Sequence, residues 1–206
     1  MSEHASARTR LSPAVRREQL LELGVQMLAT RSVEELSIDL LAEEAGISRG
    51  LLYHYFANKH EFHQAVVRRA ADDMIALTAP RPDGSPLERL AGSLAAYVDY
   101  VAANYEGYSS LVRAAARGDE YLRSIYEEAR SALTERIFES ADAGVLADLG
   151  VVDTPAIRLM VRGWSAMTEE VVLSWVRDDR GVTKDDLRAM LAAALPAVLS
   201  ASPSTS

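Results

Sequence analysis

Apolar residues recur at three- and four-residue intervals from about residue 13 to residue 199, and no stretch alternates as a strand does. Ser12-Pro13 supplies a cap and an N1 proline, and Leu20, Leu23, Met27 and Leu28 share a face, which predicts a first helix to about Thr30. Two short patterns follow and meet at Ala45-Gly46-Ile47-Ser48. Asn58-x-x-Glu61 resembles a capping box and opens a fourth helix of about twenty residues. Ala79-Pro80-Arg81-Pro82-Asp83-Gly84 is a linker, after which Ser85-Pro86-Leu87-Glu88 starts a fifth helix to about Asn104. Gly118-Asp119 divides a short sixth helix from a seventh over residues 119–141. A loop over 142–153 precedes Thr154-Pro155, the start of an eighth helix to about Asp179. Thr183 caps a ninth helix over 183–199. The fold class is therefore all-α, with about nine helices.

The last two helices carry apolar residues on more than one face. Ile157, Met160, Val161, Trp164, Met167, Val171, Val172, Trp175 and Val176 occupy more than one stripe of the eighth. Leu187, Met190, Leu191, Ala194, Leu195 and Val198 form a seam along the ninth. A helix apolar on two sides needs two neighbours, either within its own chain or on a two-fold partner. The partner reading makes Ile157, Trp164, Val171, Trp175, Leu187, Met190, Leu191, Ala194, Leu195 and Val198 the candidate interface of a homodimer.

The segment 36–62, LSIDLLAEEAGISRGLLYHYFANKHEF, reads as a helix-turn-helix. Gly46 can adopt the left-handed conformation that stops one helix, and Ser48 can cap the next. Leu41, Ala45, Ile47 and Leu52 would lock the pair, while Ala42 permits close approach. Ser48, Arg49, Gly50, Tyr53 and His54 then point outward on a rod short enough for a major groove about 12 Å wide. An ordinary helical hairpin is the bland alternative.

The run Ser37-Ile38, Leu41-Ala42-Glu43-Glu44-Ala45-Gly46-Ile47-Ser48-x-Gly50-x-Leu52-Tyr53-x-Tyr55-Phe56-x-x-Lys59-x-x-Phe62 resembles the signature of TetR-type transcriptional regulators. The resemblance covers about residues 13–66, and beyond them it rests on length and helical pattern alone. Two positions depart from the family pattern: Ser32 replaces a usual glycine, and Leu40 a usual polar residue. The resemblance implies an N-terminal helix-turn-helix domain over 1–57 and a connecting helix over 58–80. It further implies an effector-binding and dimerisation domain over 81–200, with a disordered tail at 201–206. It implies a cytoplasmic, ligand-responsive regulator, a dimeric repressor released from a palindromic operator by a small molecule. An activator, or a regulator without ligand, has the same fold.

The net charge of −8 qualifies this picture without opposing it. Residues 1–70 hold nine Arg/Lys and nine Asp/Glu, whereas residues 71–206 hold thirteen and twenty-one, so the acidic excess lies in the C-terminal part. Arg8, Arg10, Arg16 and Arg17 cluster near the start, and phosphate attraction depends on such local clusters. There are no cysteines, which excludes disulfides and thiolate metal sites. The N-terminus lacks a secretory signal, and no apolar run is long enough to span a bilayer; Pro196 interrupts the longest, Met190–Leu199. Arginine far outnumbers lysine, present only at Lys59 and Lys184, and with abundant alanine this points to a GC-rich bacterial genome.

The candidate DNA-binding residues are Ser37, Ser48, Arg49, Gly50, Tyr53, His54 and Lys59. Arg49 can fork onto a guanine or onto a phosphate, and the sequence does not choose. Gly50 lets the helix start approach the backbone. His54, His60 and His63 invite a metal reading, but they lack a firmly placed third ligand, so neither metal nor cofactor is expected. In the body, Leu94, Tyr97, Val98, Tyr108, Leu111, Tyr126, Met160, Trp164 and Met167 are candidates for lining a pocket for an apolar or amphipathic effector. Arg113, Arg130 or Arg162 would either neutralise an anionic effector or pair between helices. An all-α enzyme finds no nucleophile–base pair or phosphate-cradling loop to support it.

Overall fold

The computed structural model describes residues 12–139, 146 and 150–200. Arg8, Arg10, most of the 142–153 loop and the tail expected to be disordered lie outside the described residues. The fold is all-α. Nine helices stand among the described residues: α1 Pro13–Leu28, α2 Ile38–Ala45, α3 Arg49–Leu52, α4 Lys59–Leu77, α5 Pro86–Ala103, α6 Tyr105–Arg117, α7 Glu120–Glu139, α8 Pro155–Arg177 and α9 Lys184–Ser200.

Local hydrogen bonds set most boundaries. The side chains of Ser12, Ser37, Ser48, Asn58, Ser85 and Thr154 each accept from an amide in the first turn of the helix they precede. Ser85 and Glu88 complete the capping box in both directions. Asn58 and Glu61 make only half of one, because the Glu61 carboxylate reaches past Asn58 to accept from the Ala57 amide at 2.7 Å. Gly46 closes α2 at φ 63°, ψ 35°, and Gly118 closes α6 at φ 100°.

The head consists of α1–α3 packed against the first half of α4. Leu36, Leu41, Leu52, Phe56, Phe62 and Val66 are fully buried there. Each such side chain contributes about 1.5–3 kcal/mol by leaving water. Phe56 and Phe62 meet edge to face at 5.3 Å, and the Arg17 guanidinium covers the Phe56 ring at 5.1 Å. Gly24 lets α1 and α4 touch, since a Cβ there would lie 2.6 Å from Val66 Cγ2.

Helix α4 also belongs to the body. Arg68 donates to Glu128 of α7 at 2.6 Å, and Arg69 donates to Glu18 of α1 at the same distance. At its far end Arg136 of α7 donates to the Ile75 carbonyl and the Thr78 hydroxyl. A second head–body contact joins α1 to α6. Ser110 accepts from the buried Val33 amide at 2.9 Å, and Gly107 packs on the Leu28 backbone so closely that a Cβ would lie 2.5 Å from its carbonyl oxygen.

The outer helices correct part of the sequence reading. Along α8 the inward stripe is Ile157, Val161, Trp164, Thr168 and Val172; along α9 it is Leu187, Leu191, Leu195 and Leu199. Five residues assigned to a dimer interface, Ile157, Trp164, Leu187, Leu191 and Leu195, are thus buried inside the chain and have no face for a partner. Trp164 also donates its indole N–H to the Leu191 carbonyl. Trp175 is half-buried and donates to the Val182 carbonyl, while Val171, Ala194 and Val198 are half-buried on the flanks. The outward face consists of Leu159, Met160, Gly163, Ala166 and Met167 on α8 with Ala189, Met190, Ala193 and Ala197 on α9. Asp99 of α5 holds α9 in place through Lys184 and Arg188 at 3.0 and 2.5 Å.

Candidate nucleic-acid interface and body cavity

Ser37 and Gly46 bracket α2, and Ile47 folds back so that its amide reaches the Ala42 carbonyl at 3.0 Å. That turn aims α3 outward, with Leu52 as its only buried residue. Four residues are regular α-helix; turns through Tyr55 and Phe56 hydrogen-bond back to Leu52 and extend the rod to about two turns. Ser48, Arg49, Gly50, Tyr53 and His54 are exposed, Tyr53 by 55%. A Cβ on Gly50 would meet nothing within 4 Å, so packing within the chain does not require glycine there. Ser37 is half-buried as a cap, further from this surface in role than the others.

Arg49 is not idle. Its Nε lies 2.5 Å from the Asp39 carboxylate at the start of α2, with both side chains more than half exposed. Lys59 donates to the Glu34 carbonyl at 3.2 Å and remains exposed at the start of α4. The other histidines have separate partners: His60 contacts Gln64, and His63 bonds the Leu36 carbonyl at 2.7 Å. Burial, the largest cause, holds the His63 pKa below its ordinary value. Ser32 occupies the position where the sequence comparison anticipated glycine; its amide donates to Glu35 and its hydroxyl accepts from the Glu35 amide, so a reciprocal pair of bonds closes that turn. Leu40 packs against the core.

Inside the body a cavity of about 160 Å³ runs between α4, α5, α7 and α8 and reaches Val25, Leu28 and Val33 of the head. Leu94, Tyr97, Tyr108, Leu111, Tyr126 and Trp164 line it. Three expected members do not. Val98 is fully buried but falls with Val101 on the next stripe of α5, turned about 100° from Tyr97. Met160 and Met167 lie on the outward side of α8, each 41% exposed.

The polar centre of the cavity is Glu169. It accepts from Tyr108 and Tyr126, each at 2.7 Å. Because Tyr108 spends its hydrogen on Glu169, Tyr97 donates to Tyr108 at 2.9 Å. Arg130 donates to the Tyr126 oxygen at 3.2 Å and to the Arg162 carbonyl at 3.3 Å. Burial raises the pKa of all three phenols, Tyr126 to about 12, with Glu169 adding to each shift. They therefore stay protonated at neutral pH. Of the other arginines weighed, Arg162 pairs with Glu127 at 3.3 Å and Arg113 donates to Ser109 of its own helix.

Comparison with known proteins places both parts of the chain. The profile of bacterial regulatory proteins of the tetR family matches residues 20–66, and that of the tetracyclin repressor-like C-terminal domain matches residues 86–197. The chain belongs to the TetR family. It is a DNA-binding transcriptional regulator and not an enzyme. A TetR-family regulator from Streptomyces coelicolor of solved structure is 30% identical, with TM-score 0.78 over 91% of this chain and 82% of that one. The activator FasR of Mycolicibacterium smegmatis is 26% identical over 180 residues, 85% of this chain and 79% of that protein. The repressor KstR2 of the same organism is 37% identical over 82 residues, 39% of this chain and 40% of that protein. FadR of Bacillus subtilis, solved with stearoyl-CoA, shares the fold at TM-score 0.58 and 17% identity over 89% of this chain and 97% of that one.

Within this TetR-family fold, sequence reasoning passed over Glu169, Thr168 and Ser93, all of which line the cavity. Glu169 had a readable signal, since Thr168 and Glu169 interrupt the stripe between Trp164 and Val172 with polar residues. Ser93 had none. No helix is long and apolar enough to cross a membrane, among the described residues.

Proposed function

We propose that this regulator acts as a homodimer whose two α3 rods enter successive major grooves of a near-palindromic operator, with centres about 34–36 Å apart. The observation that carries it is the exposed set on α3, where Gly50 leaves backbone open and Tyr53 stands out unpacked beside Arg49 and His54. Residues 1–57 read DNA, residues 58–80 connect, and residues 81–200 bind effector and partner. The partner face is the outward surface of α8 and α9 around Met160, Met167 and Met190.

The cavity is the effector site. Its wall includes Val67, Ala70, Ala71 and Met74 of α4 as well as Leu28 of α1, so an occupant bears on both routes from body to head. A small amphipathic molecule that prefers the more widely spaced heads releases the dimer, with leverage equal to its differential affinity for the two states. Release of a repressor is the reading we favour. Activation is the second reading, because the activator FasR matches along most of the chain whereas the match to the repressor KstR2 spans only about two fifths of it. Gel-shift titration with Arg49→Ala and Tyr53→Ala tests the DNA site. Each should weaken operator binding at least tenfold while sedimenting as wild type, and unchanged binding in both would remove the assignment.

A further inference from the structure

Among the described residues, four buried side-chain polar atoms have no hydrogen-bond partner, and three of them belong to residues of the cavity wall: Ser93 Oγ, Arg130 Nε and Thr168 Oγ1. Buried polar groups are nearly always paired, so three orphans around one apolar space mark what that space is built to hold. Arg130 Nε is a donor only, and each hydroxyl can donate. The tyrosines add no further donor, since the hydrogens of Tyr97, Tyr108 and Tyr126 all run toward Glu169. Arg130 Nε therefore needs an acceptor atom, and the two hydroxyls can donate to one as well.

Charge selects among acceptors. Glu169 and Arg130 are joined through the Tyr126 hydroxyl, so one carboxylate and one guanidinium already offset each other at this end. A second carboxylate would enter beside Glu169, whose charge already offsets that of Arg130, and an ammonium would enter beside Arg130. At the other end Arg136 is engaged with Ile75 and Thr78. Arg89, near Pro80 and Pro86, is the group that would draw an anion instead.

We propose that the cavity takes a neutral amphipathic molecule, an apolar body bearing one or two uncharged carbonyl or hydroxyl oxygens that accept from Arg130, Thr168 and Ser93. This rests on the cavity being the effector site. The apolar portion lies against Leu94, Leu111, Met74 and Val67. At about 160 Å³ the space is near the size of a cavity that admits one aromatic ring, so the first ligands to try are small.

The test compares three eight-carbon probes on the full chain, 2-octanone, octanoate and octylammonium, by calorimetry and by the fluorescence of Trp164 in a Trp175→Phe background. 2-Octanone should bind at least tenfold more tightly than either ion and shift the Trp164 emission. In Glu169→Gln the disadvantage of octanoate relative to 2-octanone should shrink to threefold or less. Octanoate or octylammonium binding as tightly as 2-octanone in the wild type, or an octanoate disadvantage unmoved by Glu169→Gln, would overturn the neutral-ligand assignment and leave the effector cavity standing. Failure of all three to bind or to perturb Trp164 would overturn both.

Discussion

In the proposed complex Arg49 would meet DNA already paired. Its Nε sits against Asp39, and both groups are largely in water, where such a pair contributes at most about 1 kcal/mol. Phosphates carry more charge than Asp39 can match, and the Asp39 carboxylate repels them from the same spot. Asp39→Asn should therefore tighten duplex binding several-fold in fluorescence anisotropy at low salt, with the gain fading as salt rises. Weaker binding would mean instead that Asp39 holds Arg49 in its reading pose. The residues of this surface were legible because they follow from local chemistry: Ser48 as a cap, Gly46 at positive φ, and Tyr53 left outward once Leu52 and Phe56 turn in. Glu169 was legible only as a polar break in an apolar stripe, because a carboxylate in a long helix identifies its partners only after Tyr108 and Tyr126 arrive from other elements.

Two elements couple head to body, α4 by its length and α6 by contact. The α6 contact is tight at Gly107 and polar at Ser110. Ser110→Ala leaves the buried Val33 amide without a partner and should cost about 1–3 kcal/mol in denaturant unfolding. Gly107→Ala must push α1 from α6, and overpacking of that kind costs about 1–3 kcal/mol. Both variants should also weaken operator binding more than their stability loss alone explains. Equal effects on the two would make the junction a mere packing contact. Helix starts were readable from their caps, as at Ser85 and Thr154. The α1–α6 junction was not, because a glycine inside a helix says nothing of which backbone approaches it.

For the whole molecule, the sequence showed that α8 and α9 are apolar on two sides but not which side faces inward. Trp164 and Leu191 look like interface residues until the stripe that holds them is seen to close the chain's own core. Met190, 57% exposed, and Met167 remain on the outer face with Gly163, Ala166 and Ala193, small residues that permit close helix approach. Met167→Glu combined with Met190→Asp should yield folded monomers in sedimentation at micromolar concentration, with operator binding lost because two heads no longer act together. A persisting dimer would put the interface elsewhere.

The most direct test of the account is selection of duplexes from a random pool by the purified full chain at about 100 mM salt. It predicts a near-palindromic consensus with half-site centres about 10 bp apart, or a whole number of turns further, that Tyr53→Ala fails to enrich. A pool that yields no shared sequence after repeated rounds, or one that Tyr53→Ala enriches equally, would contradict it.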